Sequence, residues 1–399
     1  MTSLRDFIHG PWRAVPVLGV TQILAWGGIY YTPVLIVPMI AREYGWSMSF
    51  AMGGFSFALL AAGLSAPYIG RAIDRFGGHV VMTAGSLLGA LGLVLITLAE
   101  HRVAYVAVWI LLGVALSASL YDAAFSTLGR IFGAAARRPI TALTLAGGFA
   151  STVGWPATHY LTELVGWRGT YVIYAALLVV IAAPLHAFLL PRQRFAAPPP
   201  PADGVKVPDK VLPARGWPFI LVAGGFAIYA FVPSGLAAHL LAIFARSGID
   251  SDTVVWIGAL FGPAQVGARV IEFAFGRNLH PLWIARIALT TLFAGFVMIA
   301  VFGFSAPAAA AFAIIFGGSN GLITIARGAV PLALFGASGY GRLMGRLAFP
   351  FLLVQSAAPL VMAAVIDGAS DKAALALACA FGTVALVCFY VIRRPDQTT

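Results

Sequence analysis

The sequence predicts an all-α membrane protein with twelve transmembrane helices in two six-helix, pseudo-symmetric halves. Of the 399 residues, 60% are hydrophobic and only 10% are charged, with a mean hydropathy of +0.92. A soluble domain of this size could not bury so much apolar surface. The apolar residues also recur in runs of about 20, the length at which a helix crosses ~30 Å of hydrocarbon. A proline-rich, charged segment divides these runs into two equal sets.

The predicted spans follow one another with short connections. Because each run carries few charges, we expect it to face lipid and other helices rather than water. The predicted spans, numbered one to twelve, are 14–40, 50–70, 79–98, 104–130, 140–162, 169–190, 217–244, 253–275, 283–304, 307–327, 343–366 and 373–392.

The dividing segment is "PRQRFAAPPPPADGVKVPDKVLPARG", residues 191–216. It has no apolar period and is typical of a partly extended linker, predicted to be cytoplasmic. We therefore predict an N-terminal half (1–190), this linker, and a C-terminal half (217–399). The halves form a positional repeat, because "YGWSMSF" follows span one and "SGIDSDT" follows span seven about 203 residues later. Two such halves around a midplane site are the architecture of an alternating-access transporter.

The positive charges that give the net charge of +11 are unevenly divided between the two sides of the predicted membrane domain. If the N-terminus is inside, the outer loops hold only Arg42, Arg102, Arg168, Arg246 and Lys372, and the inner loops and ends hold nearly all the remaining lysines and arginines. The positive-inside rule then places both termini in the cytoplasm, which for a bacterial protein means an inner (plasma) membrane location. The basic balance therefore indicates orientation and not a nucleic-acid partner.

One loop motif points to a family. "GRAIDRFGGH", residues 70–79, lies in the inner loop between spans two and three. It resembles the loop signature of the major facilitator superfamily in Gly70, Asp74, Arg75 and Gly77. The resemblance implies a cytoplasmic gate: Asp74 would accept hydrogen bonds from a helix N-terminus or an arginine across the interface, and Arg75 would reinforce the contact. Gly78 and His79 stand where the signature has a basic pair.

Two motifs of drug/proton antiporters in this superfamily are missing. In span four, Trp109 holds the place of an arginine that precedes Gly113 by four residues. In span five, Trp155 precedes Pro156 where those antiporters have a Gly-Pro pair. Both departures argue against a multidrug exporter.

A longer stretch resembles the monocarboxylate and oxalate/formate porters of the superfamily. In "AAHLLAIFARSGIDSDTVVWIGALFGPAQVGARV", residues 237–270, a histidine (His239) lies near the outer end of span seven, and a glycine-rich span eight contains an arginine (Arg269). The resemblance implies that Arg269 pairs with a substrate carboxylate. Gln265 lies four residues earlier on the same helical face, so it is a second candidate for substrate binding.

Three interpretations of Arg269 compete. A charged arginine near the bilayer centre costs ~3 kcal/mol on insertion scales and needs a partner. Arg269 could face a water-filled cavity and bind an anionic substrate, it could pair with Glu272 three residues on, or it could snorkel to the inner interface. The resemblance favours the first.

The remaining polar residues limit the charge of the substrate. The resemblance implies two comparisons. Porters that carry dianions tend to add a second cation, often a lysine in span eleven, where this chain has Gln355. Proton-coupled monocarboxylate carriers have an acid four residues before the span-eight arginine, where this chain has Gln265. A single cation suits one carboxylate better than two. Further candidates for substrate binding are Asn320, Tyr30 and Tyr31, each of which could also be a packing residue.

Proton coupling has several candidates. Asp122 lies in the inner half of span four and shares a helical face with Ser126 and Arg130. It could carry a proton when desolvated, or it could form a permanent pair with Arg130 or a span-end arginine. Glu272 and His239 are further candidates.

The most favoured function is a secondary carrier that moves a small organic anion, working as a monomer and coupled in one interpretation to a proton. The main alternative is an exporter of a hydrophobic or cationic compound, in which Asp122 would contact the substrate and Arg269 would be structural. No metal cluster, nucleophilic triad or phosphate loop is visible, so we predict neither an enzyme nor a metal or other cofactor.

Overall fold

The structure, a computed structural model, describes residues 10–192 and 212–393, and every regular element in these ranges is helical. The predicted linker, 191–216, lies mostly outside the described residues. The division into two halves at its ends therefore stays a prediction. Where the chain resumes, Leu212 donates from its backbone N–H to Leu334 O at 2.8 Å, within the C-terminal half.

The N-terminal half is built from eight α-helices and several shorter helical segments. The α-helices are Ala14–Ala25, Pro33–Glu43, Met48–Phe76, Gly78–Ile96, Arg102–Ser119, Tyr121–Phe132, Arg137–Gly147 and Ala150–Leu177. Segments of π-helix lie at Trp26–Tyr31, Leu178–Ala182 and Leu185–Leu189, and 3₁₀ turns lie at Pro11–Arg13 and Gly133–Ala136.

The C-terminal half is also built from α-helices with one short helical turn. Its α-helices are Trp217–Arg246, Ser251–Ala259, Phe261–Phe275, Pro281–Phe302, Ala306–Phe335, Tyr340–Gly368 and Asp371–Val391, and a 3₁₀ turn lies at Gly276–Asn278.

Ten stretches of the described residues are long and apolar enough to cross a membrane. One of them, Arg102–Leu189, has 88 residues, which is far too long for one crossing. The backbone turns at Gly133 (φ 57°) and Gly166 (φ 70°), in a conformation that favours glycine. These two breaks divide the stretch into three, which is consistent with twelve spans, and we keep the span numbers of the sequence analysis.

Span ten differs from its prediction. It was predicted to end at residue 327, and the helix is Ala306–Phe335. Arg327, predicted to be the last residue of this span, therefore lies inside the helix, eight residues before its last residue. A hydropathy pattern stops at the first charge, whereas a helix continues wherever that charge finds a partner.

The outer surface of the bundle is apolar. Val103 is 83% exposed, Phe275 81% and Phe188 75%. A contiguous surface of this kind is unfavourable in water and suits the hydrocarbon of a bilayer.

The two halves share an ion pair at equivalent positions. At the ends of spans one and six, Arg168 Nη2 lies 2.7 Å from Glu43 Oε1. At the ends of spans seven and twelve, Arg246 Nη2 lies 2.6 Å from Asp371 Oδ1. Each residue of the second pair follows its counterpart by 203 residues, with the charges exchanged. The two ion pairs therefore occupy corresponding positions in the predicted repeat, although the sequences of the two halves are only weakly similar.

The halves meet along spans two and eleven, where small residues allow close backbone approach. A Cβ on Gly70 would overlap the carbonyl oxygen of Gly341, and one on Gly345 would overlap that of Ala66. We call the end of the bundle that carries this Gly70–Gly341 contact the motif end.

Candidate functional site

Arg269 lies between the halves with no acidic partner. It is 2% exposed. Its Nη1 donates to Thr144 O of span five at 2.6 Å, and its Nε donates to Gly321 O of span ten at 3.4 Å. Within residues 10–192 and 212–393, no carboxylate oxygen comes within 4.0 Å of its guanidinium. Two carbonyl dipoles do not neutralise a full charge, so a buried positive charge remains uncompensated at this point.

Three tyrosines lie near this guanidinium. Tyr31 of span one, Tyr121 of span four and Tyr229 of span seven all lie close enough to Arg269 to interact with it electrostatically. A phenolic hydroxyl donates one hydrogen bond, so these groups can complement an anion that Arg269 holds.

The other candidates for substrate binding lie in the same central region. Gln355 of span eleven donates from Nε2 to the Tyr30 hydroxyl at 2.7 Å, which joins the halves. The Tyr229 hydroxyl donates to Asn320 Oδ1 at 3.0 Å. Gln265 lies one turn before Arg269 and is partly exposed. Spans one, seven, eight, ten and eleven therefore all contribute polar groups to one site.

Glu272 is bound elsewhere. Its Oε1 accepts from Arg137 Nη2 at 3.1 Å, and Arg137 also donates to Gly276 O at 2.7 Å. The interpretation that Arg269 pairs with Glu272 is therefore wrong. Side chains on a helix lean toward its N-terminus, so Arg269 extends away from Glu272, which lies nearer the C-terminal end of the helix.

Arg269 also does not snorkel to the motif end. Its partners are the backbone oxygens of Thr144 and Gly321, both inside helices, and its side chain is buried. Neither the pair with Glu272 nor snorkelling agrees with this geometry, and the interpretation that Arg269 faces a water-filled cavity and binds an anionic substrate stays a prediction.

Asp122 pairs with Arg327, the arginine at the predicted end of span ten, as in the interpretation that gave it a span-end arginine as its partner. Arg327 Nη2 donates to Asp122 Oδ2 at 2.6 Å and to Oδ1 at 2.8 Å. The guanidinium of Arg327 also lies over the ring of Phe351, 3.6 Å from its centroid. Arg130 instead donates to the backbone oxygen of Asp74, so the proposed Asp122–Arg130 pair is absent. Asp122 borders a cavity of about 10 Å³, close to the smallest that can hold one water.

The loop motif closes the motif end. Asp74 Oδ1 accepts from the backbone N–H of Gly341 at 2.9 Å, and Oδ2 accepts from that of Arg342 at 2.7 Å. These donors belong to the first turn of span eleven, where the helix dipole also favours an anion. The backbone φ of Gly77 is 89°, a conformation that residues with a side chain rarely adopt.

Two further candidates, Arg75 and His239, contact other groups than those described above. The Arg75 guanidinium is 5.0 Å from the ring centroid of its neighbour Phe76, and both residues are exposed. His239 Nε2 donates to Pro359 O at 3.0 Å, within the C-terminal half.

Ion pairs and hydrogen bonds between the halves gather toward the motif end. Asp74, Asp122 and Glu272 each bind a residue of the opposite half. At the other end, the described ion pairs Glu43–Arg168 and Arg246–Asp371 each join residues of the same half. The central site is therefore sealed on the motif side, while Tyr30, Gln265 and Gln355 remain partly exposed.

Comparison with known families agrees with this architecture. The family model of the Major Facilitator Superfamily matches residues 18–326, more than half of the chain. The chain belongs to this superfamily.

Among curated proteins, this superfamily member is similar to human monocarboxylate transporter 6. The two are 27% identical over 219 residues, which cover 50% of this chain and 41% of the relative. The match thus spans less than half of the length of that relative.

Solved structures of the superfamily share the fold. The human organic anion transporter MFSD10 (TETRAN) superposes with a TM-score of 0.72 at 16% identity, covering 97% of this chain and 100% of that one. The proton:xylose symporter XylE, bound to 6-bromo-6-deoxy-D-glucose, gives 0.71 at 10% identity over 95% and 96%. FucP in the outward conformation gives 0.70 at 11% identity over 94% and 97%. These likenesses show that the chain shares the fold of these structures.

Proposed function

We propose that this chain is a secondary carrier for a small organic anion with a single carboxylate. The observation that carries the proposal is the buried guanidinium of Arg269, which lies between the halves without an acidic partner. A carboxylate bound there would compensate the charge and form strong charge-assisted hydrogen bonds. The hydroxyls of Tyr31 and Tyr121 would donate to the same anion.

The charges around the site favour a monoanion. Arg327 is neutralised by Asp122, and Arg137 is neutralised by Glu272. The surplus is therefore one positive charge, that of Arg269, and a second carboxylate in the substrate would be desolvated without compensation. The likeness to a monocarboxylate transporter supports the same substrate class.

Transport would follow from rocking the two halves. By the positive-inside rule the motif end is cytoplasmic, so in the state described here the cytoplasmic side is closed. Opening that side must break three contacts, those of Asp74 with span eleven, Asp122 with Arg327, and Arg137 with Glu272. Asp122 is the leading candidate for a coupling proton, because protonation would remove its charge and weaken its pair with Arg327.

The test compares two arginines whose guanidinium groups donate to backbone carbonyls. Arg269→Gln removes the charge of the site. Arg286→Gln is the matched control, because Arg286 donates to Phe389 O and Ile392 O at 3.0 and 2.8 Å, away from the centre. Purified variants are titrated with monocarboxylates, dicarboxylates, neutral solutes and organic cations, and binding is read as thermal stabilisation.

At about 100 times its dissociation constant, a ligand specific for the folded state adds about 2.7 kcal/mol of stability. We expect monocarboxylates to stabilise the wild type and Arg286→Gln but not Arg269→Gln. If cations or neutral compounds stabilise all three proteins and carboxylates none, Arg269 is structural and an exporter of hydrophobic or cationic compounds is the better description.

A further inference from the structure

Span one changes its helical geometry next to Arg269. Residues Trp26–Tyr31 form a π-helical segment, a local widening that is frequent at functional sites. In an α-helix, Trp26 and Tyr31 would point about 140° apart at 100° per residue. The i→i+5 pattern of the π-helix instead stacks them on one face.

The result is an aromatic cluster, which we define as Trp26, Tyr30, Tyr31 and Tyr121. The ring centroid of Trp26 lies 4.6 Å from that of Tyr30, 5.8 Å from that of Tyr31 and 5.1 Å from that of Tyr121. Trp26, Tyr30 and Tyr31 remain partly exposed, so a ligand can reach this surface.

The opposite face of the same segment is occupied by glycines. A Cβ on Gly28 would lie 3.0 Å from the ring of Tyr174, and one on Gly27 would lie 3.4 Å from Gly154. The glycines thus pack against the N-terminal half itself, and the three aromatic side chains of the segment point toward the space between the halves. The rings also pack within the N-terminal half, since Tyr30 lies 5.3 Å from the ring of Phe55 and Tyr31 lies 5.8 Å from that of Trp155. The cluster therefore borders the site from one side of span one.

Span eight, which carries Arg269, borders open space at a glycine. Gly262 lies seven residues before Arg269, two helical turns away on the same face of span eight. A Cβ at this position would meet no atom within 4 Å. Span eight therefore borders open space two turns before Arg269.

We infer that the anion carried by this protein is an aromatic carboxylate, whose ring packs on the aromatic cluster while its carboxylate binds Arg269. The inference rests on the proposed function and specifies its substrate class. Offset or edge-to-face contacts between rings favour an aromatic ligand beyond the area it buries. A two- or three-carbon acid would leave the surface of Trp26 in contact with water. Trp26 then determines specificity, and Arg269 binds charge.

The experiment measures the dissociation constants of 3-phenylpropionate and propionate by isothermal titration calorimetry of the purified protein. We expect 3-phenylpropionate to bind at least about tenfold more tightly, since one ring pair and the buried ring area together exceed the free energy of a tenfold change. Trp26→Leu should remove most of that ratio. Trp26→Phe should restore it.

Phe231→Leu is the matched control for loss of a ring. Phe231 stacks on Phe381 with centroids 4.2 Å apart, within the C-terminal half, so its removal should leave the ratio unchanged. A thermal unfolding curve of each variant shows whether the protein is folded.

The outcomes separate the two proposals. Equal affinity for the two acids, or a ratio that Trp26→Leu does not change, overturns the aromatic substrate class and leaves the anion carrier intact. Equal binding of 3-phenylpropanamide and 3-phenylpropionate overturns the role of Arg269 and with it the anion carrier. Failure of the folded protein to bind either acid overturns both.

Discussion

Arg327 and Asp122, 205 residues apart in sequence, form an ion pair across the two halves, with Nη2 of Arg327 2.6 Å from Oδ2 of Asp122. Their side chains are only 15% and 18% exposed. An ion pair in such surroundings gives modest net stability, yet removing one partner leaves a buried charge. The pair is therefore suited to hold the halves together in one state and to release them when Asp122 loses its charge.

The first prediction concerns this pair. Asp122→Asn should lower the free energy of unfolding by about 3 kcal/mol, because Arg327 is left buried and unpaired. Combining it with Arg327→Gln should recover part of the loss, since both charges are then absent. Titration of the purified protein with a denaturing detergent measures each step of the double-mutant cycle. Additive losses would contradict a direct interaction between the two residues.

The identity of the partner of Asp122 could not be predicted from the sequence. The helical membrane fold follows from apolar runs and loop charges, which are local properties, and the family comparison confirms it. The partner of Asp122 is a property of tertiary packing. Arg327 was placed at the end of span ten because the hydropathy pattern stops at it, although the helix continues to Phe335.

The central site was predictable in part. Arg269, Gln355 and Tyr30 stood out as polar residues in apolar spans, and the structure brings them into one region. Trp26 and Tyr121 did not stand out, since aromatic residues in membrane helices are usually packing residues. The signal that could have found Trp26 is the sequence "WGGIYY", in which glycines face one way and rings the other once the helix widens.

The second prediction concerns the carboxylate of the loop motif. Asp74→Ala removes an acceptor for two backbone N–H groups of span eleven, each worth about 1.5–3 kcal/mol when the acceptor is charged. We expect the motif end to open in a larger fraction of molecules. Spin labels at positions 76 and 342, in a background without Cys379 and Cys388, should show an added population at longer distance.

Arg75→Ala is the matched control for Asp74→Ala, because Arg75 is adjacent and its guanidinium lies over the exposed ring of its neighbour Phe76. It should leave the distance distribution as in the wild type. A larger effect of Arg75→Ala than of Asp74→Ala would show that the arginine is the main contact of the gate.

The third prediction concerns the close approach of spans two and eleven. Gly70→Ala places a methyl group on the carbonyl oxygen of Gly341, so the helices must separate or the motif end must open. Overpacking of this kind costs about 1–3 kcal/mol. The same label pair should report a longer distance, and the melting temperature should fall.

Gly53→Ala is the control in the same helix, because a Cβ there meets nothing within 4 Å. Alanine is the better helix former by roughly 1 kcal/mol, so this variant should be neutral or slightly stabilising. Similar losses in the two variants would indicate that glycine acts through helix flexibility and not through the contact with Gly341.

The last prediction compares the Asp122–Arg327 ion pair, which crosses the halves, with the Glu43–Arg168 and Arg246–Asp371 pairs, which join helix ends within one half. Glu43 and Arg168 are 40% and 42% exposed, and Arg246 and Asp371 are 25–48% exposed, so both pairs are screened by solvent. Glu43→Gln and Asp371→Asn should each cost less than about 1 kcal/mol, and the cost should shrink further at high salt. Each pair joins helices of one half, so neither substitution should change the distance across the motif end.

Asp122→Asn should differ from these two variants in both respects, because its pair is buried and crosses the halves. Its cost should be nearly independent of salt, and it should lengthen the distance between labels at 76 and 342. The comparison uses three carboxylates in one protein, each changed to its neutral amide and each paired with an arginine. If all three substitutions behave alike, the position of the pair relative to the halves has no bearing on the conformational equilibrium, and the gating role of Asp122 and Arg327 is wrong.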